Sequence, residues 1–394
     1  MSEGLATFTD EELDRWRTRG DPTADALIAE LAATGEIRAV SGLLRHLITN
    51  EQPVPDELPP SVAAWLRDTA DLPAWVDARR MERGMRLAAD HGPQVAVTLA
   101  AAALPYCYAS YPDVKALTFS HRMDQDHYRR VGETAQFVLG ISAPGSMGAG
   151  GKGIRKIQKV RLLHAAIRHL IAHSSRWDGA AWGTPINQEA LVGTLLSFSV
   201  VVVASIGALG VRVSPSEAED YVYAWLAVGE MLGIASDVLP RDIAEATTLT
   251  EVIARRNHRR SEDGVVMTRA LLELMAESLP RQLEAAPAAL MRHMAGEEIC
   301  DLLDVPRREA GPLARLTPRL GRVIDLAQSA PGLSRVTNTM GTMLLNRRAT
   351  QLAGRRRSAS FAIPVPATFD QDWTASGVFP ALGRVDEGPA RRDG

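Results

Sequence analysis

The chain has 394 residues, 46% hydrophobic and 23% charged, enough to bury a large core. Its 44 Lys and Arg against 47 Asp and Glu leave a formal net charge of −3, which excludes a general binder of nucleic acid or of anionic membranes, since both need a basic excess. With only Cys107 and Cys300, neither a disulfide scaffold nor a cysteine-built zinc or iron–sulfur centre is available.

The acidic start, MSEGLATFTDEELDRW, has neither the basic nor the apolar region of an export signal, so a soluble cytoplasmic protein is expected. Thr9-Asp10-Glu11-Glu12 reads as a capping box and starts a helix near Asp10. Helical pattern returns over 22–49 and breaks at the proline-rich connector EQPVPDELPPS (51–61). Further helices are expected at 62–69, 73–91, 93–103 and 121–140, followed by the glycine-rich stretch SAPGSMGAGGKG (142–153). Beyond it the pattern predicts helices at 154–172, 188–209, 215–232, 242–260, 265–277, 280–294 and after Arg319. Alternating strand-like runs are nearly absent, so the fold class is all-α. The expected organisation is N-terminal helices with their connector over 1–61, one large helical domain over 62–375, and a disordered tail over 376–394.

Residues 190–211 (ALVGTLLSFSVVVVASIGALGV) carry no charge and are long enough to span a bilayer. The run is rich in Gly and Ser, has no basic cluster beside it and no second span to pair with. It is therefore read as a central helix with no wet face, and membrane contact is not expected.

Gly148-Ala149-Gly150-Gly151-Lys152-Gly153 fits G-x-G-x-x-G, but the stretch before it reads as a helix end and no βαβ frame follows. A phosphate-binding P-loop fails too, because Lys152 is followed by Gly153 rather than Ser or Thr. A flexible lid or a turn is the expected use of this segment.

In VRLLHAAIRHLIAH, Val160, Leu163, Ile167 and Ile171 form an apolar helical stripe with His164 inside it. Arg161 and Arg168 stand three before and four after that inward imidazole. Burying two guanidinium groups there requires an anion or hydrogen-bond partners. A satisfied core histidine and a ligand-binding one are both open. His169 and His173 share another side at i, i+4 spacing but lack the intervening Glu of H-E-x-x-H, and are read as solvated. His121 and His127 are read as exposed. On the preceding helix Arg130, Thr134 and Phe137 share a face bordered by Glu133. That set suits either a small-ligand site or an inter-helix packing network.

Taken in order, LPAWVDARRMERG (72–84), RRVGETAQFVLG (129–140), KVRLLHAAIRH (159–169), WGTPINQEALVGTLLSFS (182–199) and YAWLAVGEMLG (223–233) resemble the bacterial latex-clearing proteins and fungal MpaB-type oxygenases, once grouped as a domain of unknown function. The resemblance runs from about Phe8 to Trp373. It implies an all-α domain with a globin-like core around a pocket for one haem b, whose iron activates O2; latex-clearing proteins cleave the C=C bonds of polyisoprene. By motif it makes His164 the iron ligand and Arg161 and Arg168 basic residues of the haem site, able to pair with propionates or orient the ligand. Arg130 and Thr134 become the distal groups. Where the latex-clearing motif has R-x-x-K-T, this chain has Glu133 in place of the Lys, which removes a lysine ligand and offers a base for proton abstraction.

The expectation is a haem oxygenase acting with O2 on a small apolar alkene, terpenoid or prenylated substrate, with Arg130, Glu133 and Thr134 as the reacting-side groups. The alternatives are a haem-binding sensor or store without turnover, and a haem-free helical protein that binds lipid or a partner. The oligomeric state is not legible.

Overall fold

The computed structural model describes residues 8–119, 123–277, 279 and 283–307. Helix α1 (Asp10–Arg17) starts at the expected capping box, with the Thr9 hydroxyl accepting from Glu12 N at 3.2 Å and the Glu12 carboxylate reaching back. The continuous pattern over 22–49 becomes two helices, α2 (Pro22–Thr34) and α3 (Ile37–His46), because Gly35 adopts a left-handed φ of 74° that closes α2. After the proline-rich connector comes α4 (Pro60–Asp68), then α5 (Ala78–Asp90), capped by the Asp77 carboxylate.

Helix α6 (Gly92–Thr98) runs through a π-helical turn (Leu99–Ala103) into α7 (Leu104–Ala109) and α8 (Tyr111–Thr118). The sequence pattern leaves 104–118 unassigned, yet Pro105 and Pro112 each occupy a first helical turn, where a missing N–H costs nothing. The chain continues as α9 (Met123–Ile141), α10 (Gly153–Ala172), α11 (Gly179–Trp182), α12 (Gln188–Ile206), α13 (Pro215–Met231), α14 (Ile243–Asn257), α15 (Glu262–Glu277), α16 (Ala286–Ala295) and α17 (Glu297–Leu302). No strand occurs among the described residues, where the extended pairing is a single bridge between Ser110 and His258. The fold is all-α. The helix expected after Arg319 and the tail over 376–394 lie outside the described residues.

The uncharged run is α12, which packs on α13, α14 and the π-helical turn, with Val192, Leu196, Val202 and Ile206 fully buried. Most of its apolar window is covered by neighbouring helices, as a core helix requires. Helices α5 and α13 form the most extensive seam. Gly84 allows it: a Cβ there would stand 2.0 Å from the Asp220 carbonyl oxygen.

Helix α10 has two buried sides. On one, Leu162, Ala165 and Ala166 join Leu27, Ile28, Leu31, Val40, Val62 and Leu66 in a core shared with α2, α3 and α4. Elsewhere it contacts α9 and α13.

The glycine-rich stretch is a pinned turn and not a free lid. The Asn50 side chain donates to Ser146 O at 2.8 Å and to Gly148 O at 2.6 Å. Its carbonyl oxygen accepts from Ile154 N and Arg155 N, the first amides of α10. The end of a helix that would attract a phosphate is thus capped by an amide about a hundred residues earlier in the chain.

Candidate functional site

His164 sits on α10 at the centre of a wall made by Val160, Leu163 and Ile167, and this wall lines a cavity of about 350 Å³. Its Nδ1 is covered by protein and has no hydrogen-bond partner. Nε2 is therefore the nitrogen that opens on to the cavity. Burial, reinforced by the nearby Arg168 charge, pushes the imidazole down to about 4, so the ring is neutral at pH 7. A neutral imidazole with a shielded back and an open front has the electronic form of a metal ligand.

Helix α9 supplies another wall through Val131, Glu133, Thr134 and Phe137. The sequence-derived set is thus brought together with His164 in one cavity, apart from Arg130. Arg130 lies on α9, but its side chain is outside the described residues. Helix α12 closes the cavity with Leu191, Thr194, Leu195, Ser197 and Phe198, and Trp177, Trp182 and Trp225 add aromatic surface.

Arg161 and Arg168 do not line this cavity. Arg161 makes a bidentate pair with Asp21, at 2.6 and 2.9 Å, and also donates to the Thr23 hydroxyl. Arg168 pairs with Asp25 at 2.8 Å and donates to Ile186 O at 2.7 Å. Their partners here are carboxylates at the start of α2, which supply the compensating anions that two buried guanidinium groups require. The reason is helical geometry. Spacings of −3 and +4 rotate them roughly 40–60° from His164, on the side away from Val160, Leu163 and Ile167. Both pairs are largely buried, and Gly233, with φ 94°, makes room, since a Cβ there would meet Asp21 Oδ2 at 2.1 Å.

Sequence reading missed Asp113 and His258. Asp113 lies on α8 with Pro112, Ala116 and Leu117 on the cavity side. Burial raises its carboxyl to about 6, against a hydrogen bond from the Ser110 hydroxyl at 2.5 Å. Its signal in the sequence was the amphipathic spacing in YPDVKALT, obscured by the prolines. His258 caps α14 and reaches the same cavity, its ring edge-on to Tyr106 with centroids 4.7 Å apart. Burial lowers it to about 4. In RRNHRR it reads as part of a charged surface run. Cys107 also lines the cavity, and burial pushes its thiol up to about 12, so it remains a protonated wall group.

His169 is half-buried and His173 exposed on the far side of α10, the His173 Nδ1 bonding to His169 O at 2.7 Å. Among the described residues no three His, Cys, Asp or Glu side chains gather as a metal cluster. His121 is outside the described residues, as is the His127 side chain.

An all-α domain with a histidine-bearing, mostly apolar cavity defines a class that comparison with known proteins makes specific. Residues 91–326 match the family model described as "ER-bound oxygenase mpaB/B'/Rubber oxygenase, catalytic domain". The chain belongs to that oxygenase family. It is similar to the rubber oxygenase of Streptomyces sp. (strain K30), 25% identical over 290 residues, covering 73% of this chain and 71% of that one. The solved structure of latex clearing protein in the closed state superposes with a TM-score of 0.69 at 22% identity, covering 88% of this chain and 94% of that chain, a likeness of fold.

Proposed function

We propose that this protein is a haem b-dependent oxygenase that uses O2 to oxidise a small apolar alkene, terpenoid or prenylated compound, with His164 as the iron ligand. The observation that carries the reading is the His164 imidazole: neutral, without a hydrogen-bond partner on either nitrogen among the described residues, and open through Nε2 to a mostly apolar cavity. These features fit a haem site. The macrocycle would be held by His164 and by the apolar faces of Val160, Leu163, Ile167, Phe137 and Phe198. Bound there, haem supplies the one-electron chemistry that O2 needs to attack a C=C bond.

The protein's own groups do the rest. Thr134 offers a hydroxyl hydrogen bond on the α9 wall, and Arg130, one turn earlier, is the sequence-assigned companion. Glu133 and Asp113 are the acids in the described walls. Asp113, raised to about 6, is ionised but still basic at neutral pH and suits a proton acceptor at an allylic carbon. The apolar lining excludes water and binds the hydrocarbon.

The test is an absorption spectrum of the purified full-length protein beside His164→Ala, with oxygen uptake over a panel of terpenes. A Soret band lost in the variant is expected; equal bands in both overturn the ligand assignment. Uptake that no alkene stimulates overturns the oxygenase reading in favour of haem binding alone.

A further inference from the structure

The cavity wall formed by α7, α8 and the end of α14 differs from the wall around His164. Tyr106 and His258 meet edge-to-face there, with an interplanar angle of 78°. Among the described residues neither the Tyr106 hydroxyl nor either ring nitrogen of His258 has a hydrogen-bond partner. Both residues line the cavity, and neither contributes a fully covered, unsatisfied polar atom. A ligand that displaces water from this wall must replace the hydrogen bonds these groups make to it or lose affinity.

The surroundings say which ligand. The described cavity walls contain Asp113 and Glu133 and no Arg or Lys. Burial, and then the negative charges of Glu298 and Glu251, push the Tyr106 hydroxyl above its ordinary value, so it stays protonated. Arg259, the next residue after His258, lays its guanidinium over the Tyr111 ring, 4.3 Å from the centroid. An anionic head group would face carboxylates here, whereas a neutral imidazole and a phenol together both donate to and accept from a neutral oxygen.

We propose that the substrate is an alkene of bounded length bearing one neutral oxygen function, a hydroxyl or carbonyl, which hydrogen-bonds to His258 and Tyr106 while the hydrocarbon fills the apolar cavity. This rests on the alkene reading above and narrows its substrate class. A purely hydrocarbon substrate leaves the pair unsatisfied, and a carboxylate is repelled.

Isothermal titration calorimetry of the full-length protein with geraniol, geranic acid and myrcene tests this without turnover. His258→Phe and Tyr106→Phe are each expected to weaken geraniol binding about tenfold, the effect of one buried hydrogen bond, and to leave myrcene binding unchanged. The unchanged myrcene affinity also reports that the variant retains its cavity. Geranic acid is expected to bind more weakly than geraniol to the wild type. Geraniol binding that neither variant weakens overturns the proposal, as does an equal loss for geraniol and myrcene, or no binding by any of the three. None of these outcomes depends on the Soret band of His164→Ala, so the two readings fail separately.

Discussion

His164 and His258 each titrate near 4 instead of 6.5, because burial penalises the imidazolium form. A depressed histidine stabilises the fold above its ordinary value, and that stability is lost as pH falls through 6.5 toward 4, where the unfolded chain takes up protons first. Each site contributes on the order of 3 kcal/mol across this window. Thermal melts of the protein without added ligand are expected to drop steeply from pH 6.5 to 4.5, and His164→Leu to flatten that slope by about half. Asp113 has the opposite sign. Raised to about 6 by burial, it favours the fold at low pH and costs stability as pH rises from 3.8 through 6. Asp113→Asn is therefore expected to raise stability at pH 7 by about 1–3 kcal/mol with little change at pH 4. Oxygen uptake by the same variant should fall severely at pH 7 if its carboxylate takes the proton. His164 was legible because a lone imidazole stood inside an apolar stripe. His258 and Asp113 were not, since charge runs and prolines hid which way they turn.

Helix α10 owes its position to groups from elsewhere. Asn50 caps its start and ties down the glycine turn, while Arg155 donates to Gln158 at 2.9 Å and to Gln52 O at 3.0 Å. Gln158 in turn donates to Leu66 O and to the Thr69 hydroxyl. Asn50→Ala removes four hydrogen bonds at once and is expected to cost about 2–3 kcal/mol in urea unfolding, with faster proteolysis over 142–153. Gly84→Ala forces α5 away from the Asp220 carbonyl and is expected to cost about 2 kcal/mol or more in the same assay. The existence and type of most helices followed from capping residues and apolar period alone. The cap on α10 did not, because no local pattern marks an asparagine whose partners are about a hundred residues away. The arginine partners escaped for a related reason: spacing gives an angle round a helix, and only packing gives the neighbour on that side.

Across the whole molecule, the family match begins at residue 91, but the partners of the histidine helix come before it. Asp21, Asp25, Asn50, Gln52 and Leu66 all bond to α10, and α2, α3 and α4 cover one of its faces. Removing them strands Arg161 and Arg168, and breaking such a buried pair costs roughly 3–5 kcal/mol. A chain cut to 91–326 is expected to lack a cooperative melt by circular dichroism, and a chain that begins at Phe8 to keep it. The all-α architecture and the buried central helix were readable from hydrophobic period and the absence of a basic flank. The joining of the chain's beginning to its later helices was not.

Arg256 holds Asp10 across 246 residues of sequence, while Arg17 bonds to Glu189 and Asn257. During ribosomal synthesis the first helix emerges early and then waits for these partners. At roughly 5–20 residues per second, that interval is on the order of 10–50 s. For much of that time its apolar side, Leu13 and Trp16, is without α12, the helix it packs on, and stays open to other apolar surfaces.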